Sequence, residues 1–296
     1  MGDQVSHIPE GFHTLTPYLV CGGVGRLLAF AVEAFGAAET FRMAREDGTM
    51  AHAAVLIGDS MVEMAEPAGE YQAMPAGVHL YVADADAVYW RAVAAGGQSL
   101  YEPRDMEYGD REGGVKDPSG NDWYIATHKG ATHKGVTHKG TTPEGATRGT
   151  GNLFAPKGFR SVTPGLNVTG AAALLQFLEK CFGASIVDKK VGANGIVGHA
   201  TVQIGDSMLE CSEAHGQWGP RPVAIHIYLP DVDEVYRAAL AAGATSLAEP
   251  KDQFYGERNG AAMDAWGNHW YIATHQETLT EAEVRRRAVE QTKAAG

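Results

Sequence analysis

Cysteine is scarce in this chain, with three residues, Cys21, Cys181 and Cys211, among 296. Their odd number, at spacings that suit neither a staple nor a metal knuckle, argues against a disulfide framework and for a reducing compartment. No charged-then-apolar leader precedes them, so a cytoplasmic location is expected. No apolar run approaches the roughly eighteen residues that a membrane span requires. Basic charge is in deficit too: 24 Lys and Arg against 36 Asp and Glu leave a formal charge of −12. Such a balance repels phosphate backbones and is not drawn to anionic lipid, so neither nucleic acid nor a membrane is expected as a partner. Core material is not lacking. The chain is 44% apolar and 20% charged, a globular balance, and its length suits two domains. Its opening, Met1-Gly2-Asp3-Gln4-Val5-Ser6, matches a myristoylation pattern, but so short a match arises by chance and reads as an ordinary terminus.

What is present is a repeat. Sliding the sequence on itself by 147 positions aligns residues 11–128 with 158–275 without a gap, and 53 of the 118 pairs are identical. They include Phe35-Gly36 with Phe182-Gly183 and Gly58-Asp59-Ser60-Met61 with Gly205-Asp206-Ser207-Met208. The longest shared run is Trp123-Tyr124-Ile125-Ala126-Thr127-His128 with Trp270 to His275. Two homologous domains, 11–128 and 158–275, are therefore expected in tandem. The tract 129–157 between them is rich in Thr, Gly and Lys and offers too little burial to offset the entropy of ordering it, so it reads as a flexible linker. His128, His133 and His138 recur every five residues there, which fits repeat slippage better than a designed metal tract. Residues 276–296 read as a C-terminal helix opened by a capping box, Thr280-Glu281-Ala282-Glu283.

Each copy has an inner rhythm. In the first, a β-prone stretch at 14–20 leads into a helical pattern at 24–35 that stops at Gly36. Strand-like segments follow at 37–45, 51–57 and 61–65, the last two joined by a Gly58-Asp59-Ser60 turn. The pattern restarts with a strand at 78–82, a helix at 84–95 and strands near 98–102, 111–116 and 122–127. The expected class is α+β, built of four βαβββ modules that form two cupped, mixed or mostly antiparallel sheets.

That fourfold order, with Phe-Gly after the first helix and Asp117-Pro118-Ser119-Gly120-Asn121 before the last strand, resembles the glyoxalase, bleomycin-resistance and extradiol-dioxygenase superfamily, the vicinal oxygen chelate proteins. His52 ahead of Ile57-Gly58-Asp59-Ser60, His79-Leu80-Tyr81-Val82 and Ala126-Thr127-His128 are most similar to the PhnB-like subgroup. The resemblance covers both halves. It implies that modules from two copies complete each cup, so a duplicated chain is expected to act as a monomeric pseudo-dimer. It also implies four metal-ligand positions per domain, which fall here on Thr16, Glu63, Gly77 and Tyr124, and on Thr163, Glu210, Ala224 and Tyr271. Thr, Gly, Ala and Tyr are poor replacements for His and Glu, so no cofactor is expected; a divalent metal, if any, would need a shifted site.

Strand parity groups other polar residues. His79 shares a face with position 77, and His52 has the parity to face Glu63 across a two-residue turn. The candidate acid–base set is His52, Glu63 and His79, with His199, Glu210 and His226 in the second copy. The same six are the candidates for a shifted metal site, and a purely structural role stays open beside both. Thr16, Tyr124, Thr163 and Tyr271 are candidate substrate contacts. Arg111 and Arg258 are candidates to clamp a carboxylate or phosphonate, or to form a salt bridge with a carboxylate such as Asp117. Trp218, in a Gly-Pro loop, is the best stacking candidate, whereas Trp90, Tyr89 and Tyr236 read as core. Gly22-Gly23-Val24-Gly25 reads as a plain strand-to-helix turn. The functional expectation is a small-molecule binder with a degenerate metal site, for sequestration or resistance-type binding. The alternative is a lyase- or isomerase-type enzyme acting on a small polar or aromatic metabolite.

Overall fold

The computed structural model describes residues 5–69, 71–129, 153–216 and 218–295. His133, His138 and most of the 129–157 tract lie outside them. The expected modules are present in order. The first comprises β1 (Leu15–Val20), α1 (Val24–Phe35), β2 (Ala38–Ala44), β3 (Met50–Ile57) and β4 (Ser60–Ala65). The second comprises β5 (Gly77–Tyr81), α2 (Ala85–Ala94), β6 (Gln98–Asp105), β7 (Asp110–Lys116) and β8 (Asp122–His128). The third is β9 (Val162–Val168), α3 (Ala171–Phe182), β10 (Ser185–Val191), β11 (Val197–Ile204) and β12 (Ser207–Glu213). The fourth is β13 (Ala224–Tyr228), α4 (Val232–Ala241), β14 (Thr245–Asp252), β15 (Glu257–Met263) and β16 (His269–His275). A terminal helix, α5 (Glu281–Ala295), follows, its Glu283 amide capped by Thr280 Oγ1 at 3.3 Å.

The strands form two eight-stranded mixed sheets, ordered β14-β15-β16-β13-β1-β4-β3-β2 and β10-β11-β12-β9-β5-β8-β7-β6. By contacts the chain divides into two compact units, Pro17–Gly165 and Met1–Thr16 with Leu166–Gly296. Strands β1 and β9 are each split between the units, so neither unit is one repeat copy by itself.

Local sequence explains these elements. In α1 the spacing of Leu27, Leu28, Phe30, Ala31, Ala34 and Phe35 gives one apolar face, and all six are buried. The helix ends at Gly36, whose φ of 69° is the left-handed cap that a side chain disfavours. Asp84 caps α2 by accepting from the Ala87 amide at 2.9 Å, a contact worth about 1 kcal/mol. The β3–β4 hairpin turns on Gly58, with φ 61°, and a Cβ there would lie 2.1 Å from Ser161 Oγ. The helix-side face of β5 and β8 carries an apolar core: Val78, Leu80, Trp123 and Ile125 are completely buried, and Phe35 of α1 packs on Trp123 at 4.7 Å between ring centres.

The Asp-Pro-Ser-Gly-Asn loop has a positional task. Asp117 accepts from Asn121 Nδ2 at 2.8 Å, Trp123 Nε1 at 2.9 Å and the Ser119 amide at 2.8 Å. Asn121 Oδ1 in turn accepts from the Ala76 amide at 3.0 Å, tying the loop to the start of β5. This lock sets the parallel register in which His79 lies opposite Tyr124. Asp264, Asn268 and Trp270 repeat it, with Asn268 holding the Val223 amide.

Candidate functional site

Because strand side chains alternate, register determines what meets on the open face of β5, β8 and β7. His79 pairs with Tyr124, Tyr81 with Ala126, Glu112 with Ala126, Gly114 with Tyr124 and Asp110 with His128. One face of the unit Pro17–Gly165 therefore carries His79, Tyr81, Tyr124, Glu112, Asp110 and His128. Three of these form a buried cluster, His79, Asp110 and Glu112, whose nitrogen and oxygen ligand atoms all lie within 4.8 Å of one another. His79 Nε2 is 2.9 Å from Glu112 Oε2.

Glu112 is the hub. Tyr101 donates to its Oε1 at 2.5 Å and Tyr108 to its Oε2 at 2.9 Å. Burial by itself pushes the Glu112 carboxyl upward, but the hydrogen bond and charge of His79, joined by the two tyrosine hydroxyls, hold it below the usual glutamate value. The same burial, together with the Glu112 charge, raises Tyr101 beyond the normal tyrosine range, so that its proton stays in place. The His79 ring stacks on Tyr81 at 4.5 Å and meets Tyr124 edge-on at 6.4 Å. Asp110 is anchored by His128 Nδ1 at 2.6 Å. An open cavity of about 500 Å³, lined by Tyr108, Asp110, His128 and Lys129 among others, adjoins the cluster.

His52 and Glu63 face each other across the two-residue hairpin at 3.5 Å, and Tyr18 Oη lies 3.1 Å from His52 Nδ1. They sit in the sheet that holds β1, β4 and β3, whereas His79 and Tyr124 sit in the other. The expected group of His52, Glu63, His79 and Tyr124 is thus divided into two separate pairs. The reason is that β5 pairs with β8 and β9, and not with β3 or β4. His199 and Glu210, 3.7 Å apart, repeat the first pair, and they are likewise in a different sheet from His226 and Tyr271.

In the unit containing Leu166–Gly296, the face of β13, β16 and β15 carries the matching His226, Tyr228, Tyr271 and His275, with His226 stacked on Tyr228 at 4.4 Å. Its hub differs. Asn259 stands in place of Glu112, Glu257 in place of Asp110 and Ala248 in place of Tyr101. Tyr228 donates to Glu257 at 3.0 Å, Gln253 donates to Asn259 Oδ1 at 2.7 Å, and Asn259 Nδ2 donates to Tyr255 at 2.6 Å.

Other expected residues fall as follows. Arg111 lies on the opposite face of β7 from Glu112, where it grips Asp86 of α2 through Nε and, at 2.6 Å, through Nη2, and reaches Asp105 at 3.4 Å. Arg258 repeats this with Asp233 at 2.6 and 2.8 Å and Asp252 at 3.2 Å. Both arginines are salt-bridge partners of helix carboxylates, and the partner is not Asp117. Thr16 is fully buried, and its Oγ1 has no hydrogen-bond partner among the described residues. Thr163, also buried, pairs with His79 across β9 and β5. Trp218 closes a short loop through paired backbone bonds with His215. The Gly22–Gly25 turn leads to an α1 N-terminus whose first amide, Val24 N, bonds the Glu66 carboxylate at 3.1 Å, where a phosphate would otherwise dock. Tyr89 and Tyr236 are buried and donate to Ser99 and Ser246. Asp110, Glu112, Tyr101 and Tyr108 were not among the expected site residues. The signal for two of them was alternation: Asp110 and Glu112 flank Arg111 with opposite parity.

The metal positions implied by the resemblance do not fit a metal. Thr16, Gly77 and Tyr124, like Thr163, Ala224 and Tyr271, contribute neutral hydroxyls or no side-chain donor, and Glu63 and Glu210 already face imidazoles. Comparison with known proteins agrees with the fold. The family model for the Glyoxalase/Bleomycin resistance protein/Dioxygenase superfamily matches residues 11–125 and 132–272. An uncharacterized protein of Mycobacterium bovis is 33% identical over 123 residues, covering 38% of this chain and 81% of that protein. Glyoxalase I from Zea mays superposes with a TM-score of 0.61 at 15% identity, over 93% of this chain and 96% of that one. A putative dioxygenase from Bacillus subtilis gives 0.57 at 14% identity, over 96% and 90%.

Proposed function

This chain belongs to the glyoxalase/bleomycin resistance protein/dioxygenase superfamily, and from that premise we propose that it is a small-molecule binder that has given up the family's usual metal positions. The ligand is a small polar or aromatic organic molecule, held against the tyrosine- and histidine-lined face of β5, β8 and β7 and its counterpart on β13, β16 and β15. The observation that carries this reading is the replacement of the implied ligands by hydroxyl and small side chains in both halves, which keeps hydrogen-bonding capacity while removing metal affinity. The chain works as a single copy, since it carries both repeats, and in the cytoplasm, where its three buried, unbridged cysteines stay reduced. Among the described residues no helix is long and apolar enough to cross a membrane.

A second reading is favoured by one observation, the His79–Glu112 contact at 2.9 Å in a tyrosine-lined setting, which is a competent proton relay. On that reading the protein catalyses a proton-transfer or lyase step on the same molecule. The test is a screen of aromatic carboxylates and phenols by calorimetry, followed by His79→Gln and Glu112→Gln. A binder loses affinity modestly and turns nothing over. An enzyme keeps affinity and loses turnover steeply. No saturable ligand in the screen, or binding untouched by substitution of His79 and Tyr124 together, would refute both.

A further inference from the structure

The His79–Asp110–Glu112 cluster uses none of the implied metal positions: Gly77 is two residues earlier on β5, Tyr124 lies opposite His79 on β8, and Glu112 and Asp110 are on β7, a strand the resemblance assigns no ligand. We propose that this cluster is a cation site of its own, holding one divalent first-row transition ion through His79 Nε2, Glu112 and Asp110, and that the matching place in the other unit holds none. The inference goes beyond the proposed ligand and does not depend on it.

Four observations carry it. First, one imidazole nitrogen and two carboxylates within 4.8 Å of one another are a donor set suited to such ions. Tetrahedral ligation with bonds of about 2.0–2.2 Å sets donors about 3.3–3.6 Å apart, so closure draws the widest pair in by no more than about 1.5 Å, and His79 Nε2 and Glu112 Oε2 at 2.9 Å already lie within that spacing. Second, the carboxylates are buried and faced by imidazoles, Glu112 by His79 and Asp110 by His128, while Arg111 pairs with Asp86 on the other face and Lys129 with Asp105. A divalent ion adds a strong countercharge to two carboxylates held in one buried place. Third, an outer shell is already built, as His128 fixes Asp110 and Tyr101 and Tyr108 fix Glu112, which is how ligating carboxylates are oriented. Fourth, Asp110 and Tyr108 line the open cavity, which supplies an entry path and room for exchangeable ligands. The other unit lacks the set because Asn259 is a neutral amide whose oxygen and nitrogen are taken by Gln253 and Tyr255.

The test is zinc titration of the full chain, stripped with a chelator and dialysed, in a background carrying His133→Gln and His138→Gln so that the linker cannot contribute. Calorimetry is expected to show one tight site per chain. Glu112→Asn, which installs the second repeat's residue, removes it. Asp110→Asn, a near-isosteric change at the cavity rim that keeps the fold if Glu112→Asn does not, weakens it by about tenfold or more. No tight zinc site, two equivalent sites per chain, or unchanged affinity in Asp110→Asn would overturn the proposal. Organic-ligand binding measured in the same chelated protein reports separately, so loss of one reading leaves the other to stand or fall by itself.

Discussion

Replacing Glu112 by Gln tests whether the polar hub bears on stability, independently of any bound ion. The carboxylate receives hydrogen bonds from Tyr101 and Tyr108 and faces His79 Nε2 at 2.9 Å, and it is almost wholly buried. Hydrogen bonds to a charged group contribute about 1.5–3 kcal/mol and neutral ones about 0.5–1.5 kcal/mol, so neutralising the acceptor costs about 1 kcal/mol per donor. The two hydroxyl donors and the facing imidazole together give about 3 kcal/mol, at the lower edge of the roughly 3–5 kcal/mol seen when one partner of a buried pair is removed. In a unit of about 150 residues that lowers the melting temperature by about 6–12 °C. The assay is calorimetry in chelator, with hydrogen exchange on β5 and β7 to assign the transition to this unit.

The pH dependence of that loss has a definite sign. Glu112 is depressed below its ordinary 4.5 in the folded state, so its contribution is complete above about pH 4.5 and is lost as pH falls through the lower folded value. The gap between wild type and Glu112→Gln is therefore flat from pH 7 to about 5 and narrows in acid. Tyr101→Ala should lose much of its cost in the Glu112→Asn background, with a coupling of about 1–2 kcal/mol. A shift under about 2 °C, or strict additivity of the two changes, would refute the reasoning.

Three further outcomes follow from other parts of the molecule. Asp206 holds His13 at 2.7 Å and the Thr14 amide at 2.8 Å; although burial pushes its carboxyl up, these bonds hold it well below its ordinary 3.8. Its contribution is therefore present above that value and lost as pH falls through the lower folded one, and Asp206→Asn should raise hydrogen exchange at Thr14 and Leu15 by about tenfold, for a loss of about 1.5 kcal/mol. Arg111→Ala, being a change to a half-exposed pair with Asp86, should cost under about 1 kcal/mol and leave ligand affinity unchanged; a large affinity loss would restore the clamp role. Burial raises Cys21 and Cys181 to about 11 and Cys211 further still, so at pH 8 native protein should react with a thiol reagent only after unfolding, as measured by labelling rate with and without denaturant.

Local pattern made much of the fold legible. The helix expected at 24–35 is Val24–Phe35, and the strands expected at 51–57 and 61–65 are Met50–Ile57 and Ser60–Ala65. The parity argument placing His52 opposite Glu63 depended only on a two-residue turn, which is local, and the two side chains do meet. What local pattern could not supply was which strand lies beside β5. That pairing, His79 against Thr163 and Tyr124, joins residues far apart in sequence, and it moved His79 away from His52. Arg111 misled for a related reason. Its charge drew attention to β7, but alternation sends Arg111 to Asp86 on the helix side and sends Asp110 and Glu112 to the open face.

Comparison of the two repeats shows why the hub must be treated as a set. Where Glu112 becomes Asn259, Tyr101 becomes Ala248 and Met106 becomes Gln253. Asn259 is half-buried, and its amide calls for both a donor and an acceptor. With Gln253 in place, Asn259 has both a donor and an acceptor partner, at 2.7 and 2.6 Å. The two halves therefore build different hubs, one around a carboxylate pair and the other around a neutral amide, while His79 and His226 keep the same stacking on Tyr81 and Tyr228. The difference between the halves is thus one of charge and of the residues around the hub, with the imidazole–tyrosine stack kept. It follows that a ligand recognised by shape and stacking should bind both faces, whereas one recognised by charge, a metal ion above all, should distinguish them.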